Sequence, residues 1–189
     1  MFFGLVALFA VALAQLLRWP LLPLAELDFR HLGTLWLAIG IHLLFVPSVF
    51  APLLATVLLP GLAPLGSLLY VASLMLLILF TWLNRRTSGV ALIGLGLLLN
   101  ALVIVSNGGQ MPVNPEALAA IGSLEEARQA EASSLWSTFS VMQQGTRLAF
   151  LGDWILVPMP FRDPVILSVG DFAIAAGILV FFLAPQQPP

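Results

Sequence analysis

Charged side chains are missing from long stretches of this chain. No Asp, Glu, Lys or Arg occurs between His31 and Asn84, and none between Thr87 and Pro115. Soluble domains carry roughly 25% charged residues, whereas here the charged fraction is 8% and the hydrophobic fraction 60%. Mean hydropathy is +1.06. A water-soluble fold of 189 residues could not cover itself with so little polar surface, so the sequence predicts a bilayer as its solvent. Length alone suits one domain, here a single membrane domain over residues 1–189.

The apolar runs divide at proline, glycine and arginine. Segment one runs from Phe2 to Leu17 and stops at Arg18-Trp19-Pro20, where proline ends a helix and Trp and Arg suit a headgroup boundary. Segment two runs from Leu32 to Phe45. Pro47 and Pro52 then interrupt a run too long for one straight span, and Ser48 to Leu59 reads as a kinked continuation or an interfacial helix. Segment three is Leu65 to Leu83, closed by Asn84-Arg85-Arg86. Segment four is Val90 to Ser106 and segment five Phe172 to Leu183. Several are short against the ~20 residues a span needs. The expected fold is an all-α membrane protein, a bundle of about five transmembrane helices. Phe2 to Ala14 also resembles the apolar part of a secretory signal, with Ala12-Leu13-Ala14 as a cleavage motif. No positive charge precedes it, so a retained helix is expected.

A different kind of sequence fills residues 107–164. It holds three arginines, Arg128, Arg147 and Arg162, against six acids, Glu116, Glu125, Glu126, Glu131, Asp153 and Asp163. Asn114 with Pro115 and Glu116 reads as a helix start. Ser123 with Glu126 reads as a capping box for a second helix. Beyond Gly145, prolines 158, 160 and 164 suggest an irregular return path. This is the expected extracytoplasmic insertion, partly helical, between the last two spans.

All seven basic residues are arginine. With five spans, Arg18 and Arg30 fall on the same side as Arg85 and Arg86, and the positive-inside rule makes that side cytoplasmic. The expected location is therefore a bacterial cytoplasmic membrane, multi-pass, with the N-terminus outside and the C-terminus inside.

Polar residues at membrane depth are the usual pointers to function. Gly89, Gly96, Asn100, Val103 and Asn107 share one face of segment four, and Gly66, Tyr70, Ser73, Leu77 and Thr81 one face of segment three. His31, Thr34, Ala38 and His42 do so in segment two, and Gly170, Ala173 and Gly177 in segment five. Such small, weakly polar stripes are how helices pack in lipid. His42, Tyr70 and Asn100 could alternatively line a polar pocket for a quinone, isoprenoid or lipid, or His42 could ligate a haem or chlorophyll. No span holds an acid or base near its middle, which disfavours pumps and ion-coupled transporters.

Other chemistry is poorly supplied. There are no cysteines, hence no disulfides, thiolate metal sites or cysteine nucleophiles. The absence of lysine removes Schiff-base chemistry. No G-x-S-x-G or H-E-x-x-H motif occurs, and no stretch is basic enough for nucleic acid. Asp153 and Asp171 offer too few oxygens for a hard cation, and Ser168 with Asp171 reads as an S-x-x-D cap. No catalytic residues, metal or particular cofactor are indicated.

Asn107-Gly108-Gly109-Gln110-Met111-Pro112-Val113, with Leu151-Gly152-Asp153 and Ser168-Val169-Gly170-Asp171, resembles the bacterial membrane-protein family known as domain of unknown function 5317. That family has an N-G-G-x-M-P-V turn after one helix, a variable outer segment, L-G-D, and S-[IV]-G-D opening the last helix. The resemblance covers essentially the whole chain and implies a multi-span protein without assigning chemistry. In physical terms Asn107 is expected to end segment four in the left-handed region, with Gly108 and Gly109 turning the chain. Asn107, Asp153 and Asp171 are expected to meet at one outer rim tied by Arg147. Two functions follow as expectations: a non-enzymatic subunit or scaffold docking other membrane-protein subunits through its outer segment, or a binder or processor of a membrane-soluble small molecule.

Overall fold

The computed structural model describes residues 2–16, 29–45, 66–133, 138–159 and 162–184. The boundary at Arg18-Trp19-Pro20, the kinked stretch Ser48 to Leu59 with Pro47 and Pro52, and Pro160 lie outside the described residues.

Among the described residues there are seven α-helices: α1 (Phe2–Leu16), α2 (Leu32–Phe45), α3 (Gly66–Leu83), α4 (Val90–Ser106), α5 (Pro115–Ala120), α6 (Leu124–Ser133) and α7 (Val169–Leu183). Four short strands accompany them, β1 (Met111–Val113), β2 (Phe139–Val141), β3 (Ile155–Met159) and β4 (Arg162–Leu167). The apolar segments therefore end close to where the sequence places them, except that the last helix starts at Val169. α3 alone among the described helices is long and apolar enough to cross a membrane by length and composition, with a hydropathy of 2.0; four shorter apolar helices stand beside it.

The strands correct the all-helical expectation. β1 pairs with β2 in parallel, and β3 pairs with β4 as an antiparallel hairpin with an irregularity between Val157 and Met159. Prolines 112, 158 and 164 argue against strands because proline cannot donate to a ladder. β3 and β4 are both edge strands and Pro158 falls at the irregularity, while Pro112 pairs through its carbonyl, which accepts from the Asp153 amide, so the missing donors leave no gap in the pairing.

The apolar helices pack in a row. α2 lies on α3, α3 on α4, α4 on α7, and α7 on α1, with the α4–α7 contact the most extensive. Small residues set that contact. A Cβ on Gly96 would collide with the Gly170 carbonyl, and one on Gly89 with the Gly177 carbonyl. Gly89 faces Gly177 while Gly96 faces Gly170, so the two helices run antiparallel. On the other side of α4, a Cβ on Gly94 would stand 2.6 Å from Thr81 Oγ1, which lets α3 approach closely. In lipid, where tails are as apolar as leucine, such close backbone approach is what favours one partner over another.

Polar side chains within α3 are satisfied locally. Ser73 Oγ donates to the Tyr70 carbonyl (2.7 Å) and Thr81 Oγ1 to the Ile78 carbonyl (2.8 Å), the back-bonding that hydroxyls adopt in helices.

Two small cores result. One joins Leu74, Val103 and Ile104 to Met111 and Leu151, so the segment 107–164 is seated on the ends of α3 and α4. The other, Val113, Leu118, Ala127 and Val141 with Leu124 and Phe139 against them, lies within that segment and is joined by Ile166 of β4.

Candidate functional site

Asn107 follows the last residue of α4, with φ −117° and ψ 38°. It is not left-handed, as the sequence suggests; that role falls to Gly108 (φ 72°) and Gly109 (φ 88°). Asn107 is held instead by its side chain. Its Nδ2 donates to the Val103 carbonyl (2.7 Å) and the Arg147 carbonyl (2.8 Å), and its Oδ1 accepts from the Arg147 amide (2.9 Å). Asn107 thus reproduces a backbone pairing with a residue 40 positions away. At Gly109 the positive φ coincides with a close approach, since a Cβ there would stand 2.7 Å from Ser67 Cβ.

The turn delivers β1 between two neighbours. On one side lies β2. On the other, Val113 forms a parallel bridge with Asp153: the Asp153 amide donates to the Pro112 carbonyl (2.9 Å) and the Asn114 amide to the Asp153 carbonyl (2.8 Å). The N-G-G-x-M-P-V and L-G-D motifs are therefore bonded to each other. The glycine of L-G-D has a steric reason, because a Cβ on Gly152 would stand 2.6 Å from the Pro112 oxygen and 2.6 Å from Met142 Cε.

The third motif closes on α4. Ser168 and Asp171 form a full capping box: Asp171 N donates to Ser168 Oγ (3.0 Å) and Ser168 N to Asp171 Oδ2 (3.0 Å). Asp171 Oδ1 accepts from Asn100 Nδ2 (2.9 Å), and Ser168 Oγ donates to Asn100 Oδ1 (2.9 Å). The Asn100 amide accordingly serves as a bridge that caps α7 from α4, beneath a Ser168 that is fully buried.

Asp153 is the odd member of this rim. Its main chain is bridged, but its Oδ1 is buried with no hydrogen-bond partner among the described residues. Burial first, and the Asp171 carboxylate second, push its carboxyl up to about 8. A buried acid without a donor resists ionisation, and a neighbouring anion adds to that resistance. Tyr70 lies within the field of both carboxylates, so one intramembrane candidate and the rim belong to one neighbourhood.

Asn107, Gly108, Gly109, Asp153 and Asp171 thus gather around the C-terminal end of α4 and the N-terminal end of α7, together with Asn100. Arg147 joins through its main chain; among the described residues the only ion pair is Arg128 with Glu125 (3.1 Å), so Arg147 does not bridge the two aspartates. His42 sits apart on α2, with Nδ1 3.4 Å from Ser73 Oγ and its ring 5.6 Å from that of Tyr70. No group of three or more His, Asp or Glu among the described residues is placed to hold a metal ion. Sequence inspection does not anticipate the bond from Asn100 to the cap, although its place on the same helical face as Gly96 was the available signal.

The chain is 28% identical over 145 residues to an uncharacterised protein of Thermotoga maritima, covering 76% of this chain and 74% of that one. No solved structure matches it. A family model matches residues 26–183, from before α2 to the end of α7, and the chain belongs to that family, a family of unknown function (DUF5317).

Proposed function

We propose that the chain is a five-span membrane protein without catalytic activity, a subunit or scaffold that docks a second membrane protein through its outer segment. The observation that carries this is the way that segment is built. It has its own small core, it is fastened to α4 and α7 by the rim just described, and it leaves an apolar ridge uncovered. Phe150 is 65% exposed and Trp154 45%, flanked by Leu148 and Leu156, and Trp154 Nε1 donates to the Phe150 carbonyl (3.0 Å). Aromatic residues held rigidly at low entropic cost are the anchors of protein interfaces.

Sidedness is supported by geometry at the opposite end. Asn84 joins the two arginine-bearing loops: the Arg30 amide donates to Asn84 Oδ1 (2.8 Å) and Asn84 Nδ2 to the Arg30 carbonyl (3.0 Å). Arg30, Arg85 and Arg86 therefore share one end of the bundle, which the positive-inside rule assigns to the cytoplasm. The acidic insertion falls at the other end, in keeping with a multi-pass protein of the bacterial cytoplasmic membrane whose N-terminus is outside.

The alternative, an intramembrane pocket for a quinone, isoprenoid or lipid, draws on His42 and Tyr70. It loses Asn100, whose amide is taken up by Ser168 and Asp171.

Site-specific photocrosslinking in cells tests the proposal. A crosslinker at residue 150 or 154 is expected to give a protein adduct of discrete mass, and one at residue 144 none. A chain that purifies alone from gentle detergent and gives no adduct at either ridge position sinks the scaffold reading.

A further inference from the structure

A groove runs down the outside of the bundle between α3 and α4, starting at the arginine end. Its walls are two ladders, Ile78, Thr81 and Trp82 from α3 with Arg85 just past its end, and Ala91, Gly94, Leu95 and Leu98 from α4. Each ladder steps by three, one and three residues, so each is one face of its helix. The cavity volume is about 240 Å³. The groove exists because Gly94 has no side chain and lets Thr81 form the floor. Its single hydroxyl is already bonded to the Ile78 carbonyl, so the groove offers carbon and no free donor.

The mouth has the opposite character. Arg85 lies with its guanidinium carbon 4.4 Å over the Trp82 ring and donates Nη1 to the Trp82 carbonyl (2.8 Å). This pins the group at the top of the groove and leaves further N–H donors unused. Arg86 is adjacent and exposed, and the Asn84 bonds bring the Arg30 backbone to the same end. Among the described residues no carboxylate pairs with Arg85 or Arg86.

We infer that this groove holds one acyl chain of an anionic phospholipid, with the headgroup phosphate on Arg85 and Arg86. The inference rests on the membrane reading above. On α4 seven helical steps separate Ala91 from Leu98, about 10 Å at 1.5 Å per residue. One leaflet of hydrocarbon is about 15 Å deep, so the groove follows a chain through most of one leaflet, and its cationic mouth lies where the phosphate would be. Trp82, 63% exposed, occupies the level at which tryptophan gathers in membranes. An arginine pair with no carboxylate partner among the described residues selects a net negative headgroup over a zwitterionic one.

The full chain, purified in detergent and stripped of lipid, is titrated with phosphatidylglycerol or phosphatidylcholine while bound lipid is counted by native mass spectrometry. The wild type is expected to prefer phosphatidylglycerol on the order of tenfold. Arg85→Gln with Arg86→Gln should abolish the preference. Ala91→Phe, at an exposed wall position, should weaken retention of both lipids while leaving thermal unfolding unchanged. Equal binding of the two lipids by the wild type, or a preference that survives in the double variant, overturns the inference. Carbonate washing of cell membranes separates the two levels: a chain released into the wash defeats the membrane reading, whereas one retained without lipid preference defeats only the groove.

Discussion

Asn100 of α4 donates a 2.9 Å hydrogen bond to Asp171 of α7 across 71 positions of sequence. With the Ser168 hydroxyl on its other amide atom, this makes the cap of one helix depend on a side chain of another. An N-terminal cap normally satisfies its own helix. Here Asp171→Asn replaces with a donor one of two carboxylate oxygens, of which Oδ1 accepts from Asn100 and Oδ2 from the Ser168 amide, and Ser168→Ala removes the Oγ that both receives and donates. Each is expected to cost about 1–2 kcal/mol. Because they share partners, the double variant should lose less than the sum, as read by thermal unfolding in detergent. Unchanged stability in both single variants would remove the case for a working rim.

The glycine contacts predict a sharp difference between positions. Gly177→Ala puts a methyl group 2.6 Å from Ile93 Cγ1 and 2.7 Å from the Ile93 amide nitrogen, which forces α4 and α7 apart. Loss of about 1–3 kcal/mol is expected. Gly40→Ala has open space around it and should be neutral or slightly stabilising. Equal effects at the two sites would mean that close approach does not hold the helices together.

Asp153 makes stability depend on pH in the less common direction. Its carboxyl titrates near 8 in the folded chain against an ordinary 3.8, so between those values the folded state keeps a proton that the unfolded state has lost. The contribution of Asp153 to stability is greatest below about pH 4, falls by up to about 1.4 kcal/mol per pH unit as pH rises, and levels off above pH 8. Asp153→Asn cannot ionise and should flatten that slope, with its largest gain over the wild type in alkaline buffer. A wild-type profile that rises across this window contradicts the buried placement of the carboxyl.

Asn107→Ala releases the main chain of Arg147, an exposed residue held there by the Asn107 amide. Trypsin should then cut after Arg147 several-fold faster while cleavage after Arg128 stays constant. Equal rates would show that the loop is held by other contacts.

The lack of native cysteine makes sidedness directly measurable. Gln144→Cys is expected to react with an impermeant maleimide on intact cells and Thr87→Cys only after lysis. The reverse pattern inverts the topology.

How far the sequence reveals all this varies with the physics involved. Helix limits are legible at Asn84-Arg85-Arg86 and at Ser168 because charge, turn chemistry and capping are local. The Gly89–Gly96 and Gly170–Gly177 stripes are visible as faces, but their antiparallel match is not, since nothing local says which faces meet. The strands at Met111 and Ile155 are hidden by Pro112 and Pro158, which pairing tolerates only where no amide donor is needed. The bridge between Val113 and Asp153 is a backbone event, invisible to any inspection of side chains. The rim was partly foreseen through its motifs, while the unpartnered Asp153 oxygen depends on what surrounds it in space.

The packing of α1 on α7 bears on how the molecule is made. α1 emerges well before α7, its main neighbour among the described residues, so it must wait while the intervening chain is synthesised. A polypeptide arrested before Val169 leaves both α1 and the glycine face of α4 without their partner. The arrival of α7 is thus a checkpoint: it closes both contacts, and chains arrested before it should be recognisable to proteases by the surfaces it would have covered.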